Sequence, residues 1–599
     1  MRSPSMLLGV VVLALTTFLP SLRARSPLDA AGAGKSLSSP PASPAARKGK
    51  GDKECEARLE ELRETYRAAK TFEERTPAIL EFARAPCKAT VEFLAQLYEK
   101  DDNTGMHMTI TRTLGRIGTK DAIDVVLKAG VPSLGKDLFA SQAIAEAFES
   151  RLEPAAEKLV LRWFQSRSRL HAEMLKNTEL WQRIVRAIAR FRSKDRIKTL
   201  TRAATQEKSP ELVVAILEAL EEEKSSTVVS AARRLLRHRN PDVQVAAYSC
   251  LFAQDGKKSG AKFVRGLTSR HWQVRLISLR FLSKLEDPRL LRSAVKMLDD
   301  PEARVQLTAV QALLNLGGKQ VLEPLIARLA TSQGRLQDDL ADTLARLTGR
   351  DLGPGAAQWE SWWVQFRDVP GNYVRLSAEE FSELKAESER KQQTLLYYGL
   401  RVLADSVFVV DTSESMAERY VPRKDREEPR GKTVVENPPT PPSDADRRQR
   451  IEVARNELLT VLKGLKNGKK FNIVRFDSAL RDFIQDTLGK RPERLERMLP
   501  KVREKAKAFV SEFEPAGQTY MLKALREAFA YPDVEVIYLL SDGAPTPESG
   551  DMADILAYVR KENRLRSVKI NTIGFDLEEK EKKFLLELAD ENFGVFIER

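Results

Sequence analysis

The sequence contains few of the residues on which most enzymes and metal clusters depend. Its 599 residues include three cysteines and four histidines. The histidines, His107, His171, His238 and His271, show no metal-ligand spacing, and no HExxH, CxxC or GxSxG motif or glycine-rich phosphate loop occurs. No nucleophile stands beside an evident base. We therefore predict a protein that is not an enzyme.

The chain also lacks an apolar run long enough to cross a membrane. The longest, residues 6–19, follows Arg2, ends at Pro20 and precedes small residues including Ala24. A membrane-spanning helix needs about 20 apolar residues. This pattern predicts a cleaved signal peptide over residues 1–24, export to the periplasm or the exterior, and no transmembrane anchor in the mature chain.

Charge is not concentrated enough overall to indicate a dedicated nucleic-acid surface. Nearly half of the net charge of +14 lies in the first 50 residues, and residues 25–52 are a Ser/Pro/Ala-rich basic segment that we predict to be a disordered linker. One local cluster of eight basic residues is interrupted only by Asp195. It comprises Arg183, Arg186, Arg190, Arg192, Lys194, Arg196, Lys198 and Arg202. The cluster is a candidate polyanion contact, and the alternative is a solvated helix face.

The cysteines leave two alternatives open. Cys55 and Cys87 flank the first helical region, where they could pair in an oxidising compartment or remain as two buried thiols. Cys250 falls on an apolar helix face.

From residue 53 to residue 366 the pattern is helical, and it becomes strictly periodic. An apolar residue recurs every 31 positions at Leu212, Val243, Val274, Val305 and Leu336, and again eight residues later at Leu220, Leu251, Leu282, Leu313 and Leu344. Units of two short helices with this period must stack to bury their apolar faces, which predicts an α-solenoid. The segments PDVQVAAYSCL, HWQVRLISLRFL and EARVQLTAVQALL resemble the short class of HEAT repeat over roughly residues 105–350.

The array is predicted to end at a tryptophan-rich segment containing Trp359, Trp362 and Trp363. A terminal repeat exposes an open core, so we interpret these residues as a cap rather than a binding platform. Residues 367–400 are predicted to be a polar, partly helical connector.

Beyond the connector the periodicity changes to that of a different fold. Short apolar runs at 407–410, 471–476, 534–540, 568–575 and 594–597 alternate with amphipathic stretches at 451–465, 502–513 and 580–588. Strands that are apolar on both faces and separated by helices predict a mostly parallel sheet covered on both sides. We predict a doubly wound α/β domain over residues 401–599.

Small oxygen-bearing side chains follow the first of these strands. In an extended loop, alternate residues point the same way, so Asp411, Ser413 and Ser415 are expected to converge while Thr412 and Glu414 face outward. Thr519 and Asp542 lie at other predicted strand ends, and such ends meet at one edge of the sheet. Hydroxyls and carboxylates suit a hard cation, which predicts a Mg²⁺ or Mn²⁺ site. The alternative is a capped turn without metal.

This arrangement resembles the metal-ion-dependent adhesion site of the von Willebrand factor type A family. The resemblance implies that Ser413, Ser415 and Thr519 ligate through hydroxyls, that Asp411 and Asp542 act directly or through water, and that an acidic residue of a protein partner fills the open position.

The sequence departs from the family pattern in two places. Glu414 replaces a common glycine and could strengthen cation capture or repel an acidic ligand. Residues 419–446 form a proline-rich insertion that is either a tolerated surface loop or a partner-binding arm.

Three functions are consistent with the sequence. The first is an exported adhesion or scaffold protein that binds a partner carboxylate through the metal. The second is a solenoid scaffold whose α/β domain is structural and metal-free. The third is a polyanion binder that uses the basic cluster.

Overall fold

The computed structural model describes residues 51–130, 138–166, 178–369, 373–388, 396–402, 405–420, 448–490, 493–547 and 550–599. The predicted signal peptide, most of the predicted linker and nearly all of the predicted insertion lie outside these ranges. Within them, no helix is both long enough and apolar enough to span a bilayer.

The first part of the chain is a helical array. Its helices are α1 Gly51–Ala68, α2 Phe72–Glu81, α3 Lys88–Lys100, α4 Thr104–Ile117, α5 Lys120–Val125, α6 Leu138–Glu149, α7 Pro154–Gln165, α8 Thr178–Ala189, α9 Asp195–Gln206, α10 Pro210–Ala219, α11 Ser226–Leu235, α12 Pro241–Asp255, α13 Gly260–Gly266, α14 Trp272–Lys284, α15 Leu290–Met297, α16 Ala303–Leu316, α17 Leu322–Leu329, α18 Gly334–Thr348 and α19 Ala356–Phe366. Successive even-numbered helices from α2 to α18 pack side by side in one layer, and odd-numbered helices form the other. This is the predicted solenoid.

The apolar residues that recur every 31 positions form the core of this array. Nine of the ten periodic apolar residues are buried, and the tenth, Leu336, is partly buried against the core of the later repeats. Local capping fixes where the helices begin: Ser209 accepts a hydrogen bond from the backbone N–H of Leu212 (3.3 Å), and Asn240 accepts one from the N–H of Asp242 (2.7 Å). The apolar spacing therefore predicted both the fold and its packing.

The end of the array is closed by tryptophans, as the cap interpretation expected. Trp359 is fully buried and donates its indole N–H to the Gly353 carbonyl (2.8 Å), and Trp362 packs edge-on against it. At the other end of the array, Cys55 and Cys87 form a disulfide, with their Cα atoms 6.2 Å apart. Of the two alternatives for these cysteines, the structure has the bonded one.

The last part of the chain is a three-layer α/β domain, preceded by α20 Ala378–Ser388 and a short hairpin of β1 Leu396–Tyr397 and β2 Leu400–Arg401. Its strands are β3 Ser406–Asp411, β4 Lys470–Phe476, β5 Leu480–Asp482, β6 Glu496–Arg497, β7 Val536–Ser541, β8 Lys569–Gly574 and β9 Phe596–Glu598. Its helices are α21 Arg450–Gly464, α22 Pro500–Ser511, α23 Met521–Ala530, α24 Met552–Glu562 and α25 Glu579–Asp590. All five predicted strands are present, within two residues at each end.

The sheet has the order β5-β4-β3-β7-β8-β9, with β6 also paired to β4. Strands β4, β3, β7, β8 and β9 are parallel, whereas β5 and β6 are short antiparallel strands on β4 that the sequence analysis did not predict. The chain leaves β3 for β4 on one side and places β7 on the other. The winding therefore reverses at β3, whose carboxyl end is where such sheets bind ligands.

One ridge of the helical array docks against the α/β domain, together with further side chains of α18. The four residues of the ridge are 31 apart, namely Ser249, Arg280, Gln311 and Asp342. Ser249 accepts a hydrogen bond from Arg564 (3.3 Å), and Arg280 donates to the Arg564 carbonyl (2.8 Å). Gln311 lines a small cavity between the two parts, and Asp342 pairs with Lys569 (3.0 Å). The register that stacks the repeats thus also presents part of the docking surface.

Lys569 is a buried charge at the centre of this interface. It begins β8, is 9% exposed, and lies 3.0 Å from a carboxylate oxygen of both Asp339 and Asp342. Burial works to lower the pKa of Lys569, but the two carboxylates raise it above the ordinary lysine value. Asp342 also pairs with Lys385 of α20 (3.1 Å), so the connector takes part in the same network.

We expect Lys569→Ala to uncouple the two parts of the chain. Removing one partner of a buried ion pair costs at most about 3 to 5 kcal/mol, and here the two buried aspartates would keep only Arg335 (3.3 Å) and Lys385 (3.1 Å) as countercharges. Calorimetry should show the α/β domain melting separately from the array, in place of the joint transition of the wild type. Lys507→Ala, which removes a more exposed pair with Glu504 in the same domain, is the matched control and should leave the melting profile unchanged. An unaltered profile for Lys569→Ala would contradict a role for this contact.

Candidate functional site

Three loops meet at the carboxyl edge of the sheet and are joined by backbone hydrogen bonds. The loop after β3 receives a bond at the Thr412 carbonyl from the N–H of Ala516 (2.8 Å), and Glu414 N–H donates to the Gly517 carbonyl (3.0 Å). The loop after β7 is tied to the same segment, because Thr546 N–H donates to the Thr519 carbonyl (3.0 Å). The fold therefore brings together the three segments that carry the predicted ligands.

Three of the predicted ligand oxygens form a closely spaced set. The hydroxyl oxygens of Ser413 and Ser415 are 3.1 Å apart, and the Ser415 hydroxyl donates to Oδ1 of Asp542 (2.8 Å). Neighbouring ligands in an octahedral Mg²⁺ shell are separated by about 3 Å, since each metal–oxygen bond is about 2.1 Å. The spacing of these oxygens fits adjacent positions in such a shell.

Asp411 lies behind this set of oxygens. It is fully buried, and its two carboxylate oxygens accept hydrogen bonds from the Ser541 hydroxyl (2.6 Å) and the Ser413 N–H (2.9 Å). Both oxygens are thus already engaged within the protein. Asp411 holds the loop in shape and adds negative charge, which fits action through water rather than direct ligation.

Thr519 is the remaining predicted ligand and comes from the segment that leads into α23. It is 7% exposed, and its N–H donates to the Thr546 hydroxyl (3.1 Å). Gly517, two residues earlier, has φ +64°, and a Cβ there would lie 2.5 Å from the Ser478 hydroxyl oxygen. The turn that places Thr519 at the edge therefore depends on glycine.

Of the two residues expected to face outward, Glu414 does and Thr412 does not. The side chain of Glu414 is exposed at the rim. Thr412 is fully buried, and its hydroxyl donates to the Asp477 carboxylate (3.1 Å) beyond β4. The expectation for Thr412 was wrong because the loop bends against the end of β4 instead of continuing as an extended strand.

The two site carboxylates are held in an environment that disfavours their charge. Burial and the neighbouring Asp542 raise the pKa of Asp411 well above the ordinary value, against the lowering effect of its hydrogen bonds. Burial also raises the pKa of Asp542, although Ser415 and Arg450 act in the opposite direction. A site with poorly compensated negative charge favours a cation.

Arg450 is a site residue that the sequence analysis missed. It is the first residue of α21 and is 5% exposed, and its guanidinium pairs with Asp542 (3.0 Å), Asp576 (2.8 Å) and Glu418 (2.9 Å). The chain has 99 lysines and arginines, so a single arginine at a helix start carries no distinctive signal. Only the fold shows that it meets the ends of β3, β7 and β8.

The predicted insertion joins the site at its base. Residues 421–447 lie outside the described part of the chain, but the residues on either side are held together. Tyr420 N–H donates to the Arg448 carbonyl (2.9 Å), Arg419 and Gln449 form an antiparallel bridge, and Arg450 N–H donates to the Glu418 carbonyl (3.0 Å). The residues that flank the insertion therefore lie together beside the loop after β3.

The predicted basic cluster lies on α8 and α9 and the turn between them, far along the array from this edge. Arg183 pairs with Glu149 (2.8 Å) and Arg196 with Glu223 (2.7 Å). The six exposed members are Arg186, Arg190, Arg192, Lys194, Lys198 and Arg202. Polyanion contact through these six residues stays a prediction.

Across the described ranges, no three His, Cys, Asp or Glu side chains converge in a metal-binding arrangement. A cation at the edge would accordingly depend on hydroxyl oxygens and water for most of its shell. Mg²⁺ and Mn²⁺ accept such ligands, whereas zinc sites rely on Cys and His. The donor set thus fits the predicted ions.

Comparison with known proteins agrees with both parts of the fold. Residues 260–345 match HEAT repeats and residues 443–596 match the von Willebrand factor type A domain. The second match begins within the last residues of the predicted insertion, yet β3, which precedes it, belongs to the same sheet through β4 and β7. The chain therefore contains HEAT repeats followed by a C-terminal von Willebrand factor type A domain.

Two solved structures show more limited similarity. A von Willebrand factor type A structure from Catenulispora acidiphila is 20% identical over 33% of this chain and 39% of that chain, with a TM-score of 0.24. The CpcE–CpcF complex of phycocyanin lyase from Nostoc sp. PCC7120 is 16% identical over 49% of this chain and 97% of that chain, with a TM-score of 0.17. This chain thus spans well under half the length of the first structure, and neither score supports an inference about activity.

We expect the buried Asp411 to make the metal-free protein lose stability as pH rises. Its folded-state pKa is raised, so the stability it contributes is full below the unfolded value of about 3.9 and is lost as pH increases through the folded value. Asp411→Asn removes this titration. In chelator, the melting temperature of Asp411→Asn relative to wild type should therefore rise between pH 4.5 and pH 8. If the difference in melting temperature between Asp411→Asn and wild type stays constant with pH, ionisation of Asp411 does not destabilise the folded protein.

Proposed function

We propose that this chain, in which HEAT repeats precede a von Willebrand factor type A domain, is an exported, non-enzymatic binding protein that captures an acidic residue of a protein partner through a divalent cation. Both kinds of domain fit a protein-interaction or scaffold role and are typically non-catalytic. The observation that carries the metal-dependent part is the spacing of the Ser413, Ser415 and Asp542 oxygens in front of the buried Asp411.

Several residues at the carboxyl edge of the sheet would coordinate Mg²⁺ or Mn²⁺ together. Ser413 and Ser415 would supply hydroxyl oxygens, Asp542 would supply Oδ1, and Thr519 would contribute from the neighbouring loop. Asp411 would act from behind, by its charge and through water. A bound cation would offer one open position to a partner carboxylate. Glu414, exposed at the rim, stays the predicted modulator of that contact.

The position of the domain on the array supports presentation of this edge to a partner. The solenoid contacts lie near the amino ends of the strands, where Lys569 begins β8 and Glu535 precedes β7 and accepts a hydrogen bond from Arg335 (3.0 Å). Strands of six residues at about 3.3 Å per residue place the carboxyl edge roughly 20 Å away. The array would then serve as a support that leaves the metal edge accessible.

Export is supported by two features of the chain. The apolar segment after Arg2 has the length and flanks of a signal peptide. The Cys55–Cys87 disulfide is of a kind that persists in oxidising compartments outside the cytoplasm.

We expect Mg²⁺ or Mn²⁺ to raise the melting temperature of the wild type above its value in chelator, because an ion that binds only the folded state stabilises it by mass action. Thr519→Ala should lose most of this gain. Thr460→Ala, which removes an exposed hydroxyl bonded to the Asn456 carbonyl in α21 of the same domain, is the matched control and should keep the gain.

The same variants separate metal-dependent capture from a purely structural domain. Partner retrieval from envelope extract should require the divalent ion and should be lost in Asp411→Ala, while far-ultraviolet circular dichroism stays that of the wild type. Equal melting temperatures with metal and chelator, together with undiminished retrieval by Asp411→Ala, would instead leave the scaffold function with a metal-free domain.

A further inference from the structure

The edge that carries the metal-site oxygens also contains a positive charge of its own. Arg450 is 5% exposed, and its two terminal nitrogens contact Asp542 and Asp576 at 3.0 and 2.8 Å. It is the one basic side chain that pairs with a site carboxylate among the described residues, since Asp411 receives only hydroxyl and backbone hydrogen bonds. The carboxylates of this edge therefore have one partial countercharge already.

The two carboxylate oxygens of Asp542 have different partners, one a serine hydroxyl and the other the Arg450 guanidinium. Oδ1 accepts from Ser415 (2.8 Å) and belongs to the set of ligand oxygens, whereas Oδ2 accepts from Arg450 (3.0 Å). Arg450 therefore neutralises part of the charge without occupying the oxygen that faces the serines.

The same guanidinium joins three adjacent strand ends. Glu418 closes the loop after β3, Asp542 follows β7, and Asp576 follows β8 with a left-handed φ of +47°. Each of these loops would otherwise present an acidic side chain toward its neighbours. Like charges at a few ångströms repel. The Asp542 side chain is fully buried, whereas those of Glu418 and Asp576 are 64% and 39% exposed, so the guanidinium mainly offsets the charge of Asp542.

We infer that Arg450 is a resident cation of the metal edge: it keeps the three acidic loops together without a divalent ion and in return weakens the binding of that ion. This inference rests on the proposed metal site. Arg450 is a positioning residue, since it acts on the cation through Asp542 and by its charge. The consequence is an edge that is folded before metal arrives and binds the ion reversibly.

The test compares three full-length variants by thermal shift and by titration calorimetry with Mg²⁺. Arg450→Gln removes the charge and keeps a hydrogen-bond donor, and Arg450→Lys keeps the charge. Arg560→Gln is the matched control, because Arg560 also bridges two carboxylates of the same domain, Glu587 and Glu591, away from the edge.

In chelator, Arg450→Gln should melt several degrees below wild type, and saturating Mg²⁺ should restore more stability to it than to wild type. Its Mg²⁺ affinity should rise roughly tenfold, the effect expected from removing one unit charge a few ångströms from a divalent ion in a partly solvated site. Arg450→Lys keeps the charge but has one nitrogen in place of two, so its Mg²⁺ affinity should stay near that of wild type and its melting temperature in chelator should fall between those of wild type and Arg450→Gln. Arg560→Gln should change neither the Mg²⁺ gain nor the affinity.

Failure of this inference is distinguishable from failure of the proposed function. A Mg²⁺ gain in wild type that is equal or smaller in Arg450→Gln would overturn the inference and leave the metal site standing. A gain only in Arg450→Gln would support the inference and contradict metal use by the natural chain. No response to Mg²⁺ in either protein would overturn both.

Discussion

The 31-residue register of the helical array is the constraint from which the rest of the architecture follows. One set of positions in each repeat builds the apolar core, and another set, Ser249, Arg280, Gln311 and Asp342, forms the ridge on which the α/β domain sits. Because each repeat advances the chain by the same step, equivalent positions line up on one face. The apolar core accordingly continues from the last repeats into the α/β domain.

Docking the domain by the amino ends of its strands determines what the opposite edge can do. Both edges of the sheet contain buried charged side chains, but the two edges differ in whether those side chains have partners of opposite charge. At the docked edge Lys569 meets two aspartates inside the protein and the charges are compensated. At the free edge the buried Asp411 meets only hydrogen-bond donors, and Arg450 serves Asp542 alone among the two site carboxylates. The free edge is thus the one that still favours an added cation.

Sequence reasoning predicted the features that depend on periodicity and missed those that depend on tertiary placement. The repeats, the five main strands and the convergence of the three site loops all follow from apolar spacing and from the rule that parallel strands end at one edge. Thr412 turned inward because the end of β4 supplies Asp477, a contact no local pattern encodes. Arg450 and the docking ridge were missed for the same reason: polar and charged residues are abundant in this chain, and only the packed fold determines which of them meet.

Counting bound Mn²⁺ tests the central claim most directly. The electron paramagnetic resonance signal of free Mn²⁺ diminishes when the ion binds protein, so titration gives the number of sites. The account predicts one Mn²⁺ per wild-type chain, displaced by Mg²⁺, and none when Ser413 and Asp542 are both changed to alanine. Wild-type protein that leaves all the Mn²⁺ free, or a double variant that binds as much as wild type, would contradict a divalent-cation site at this edge.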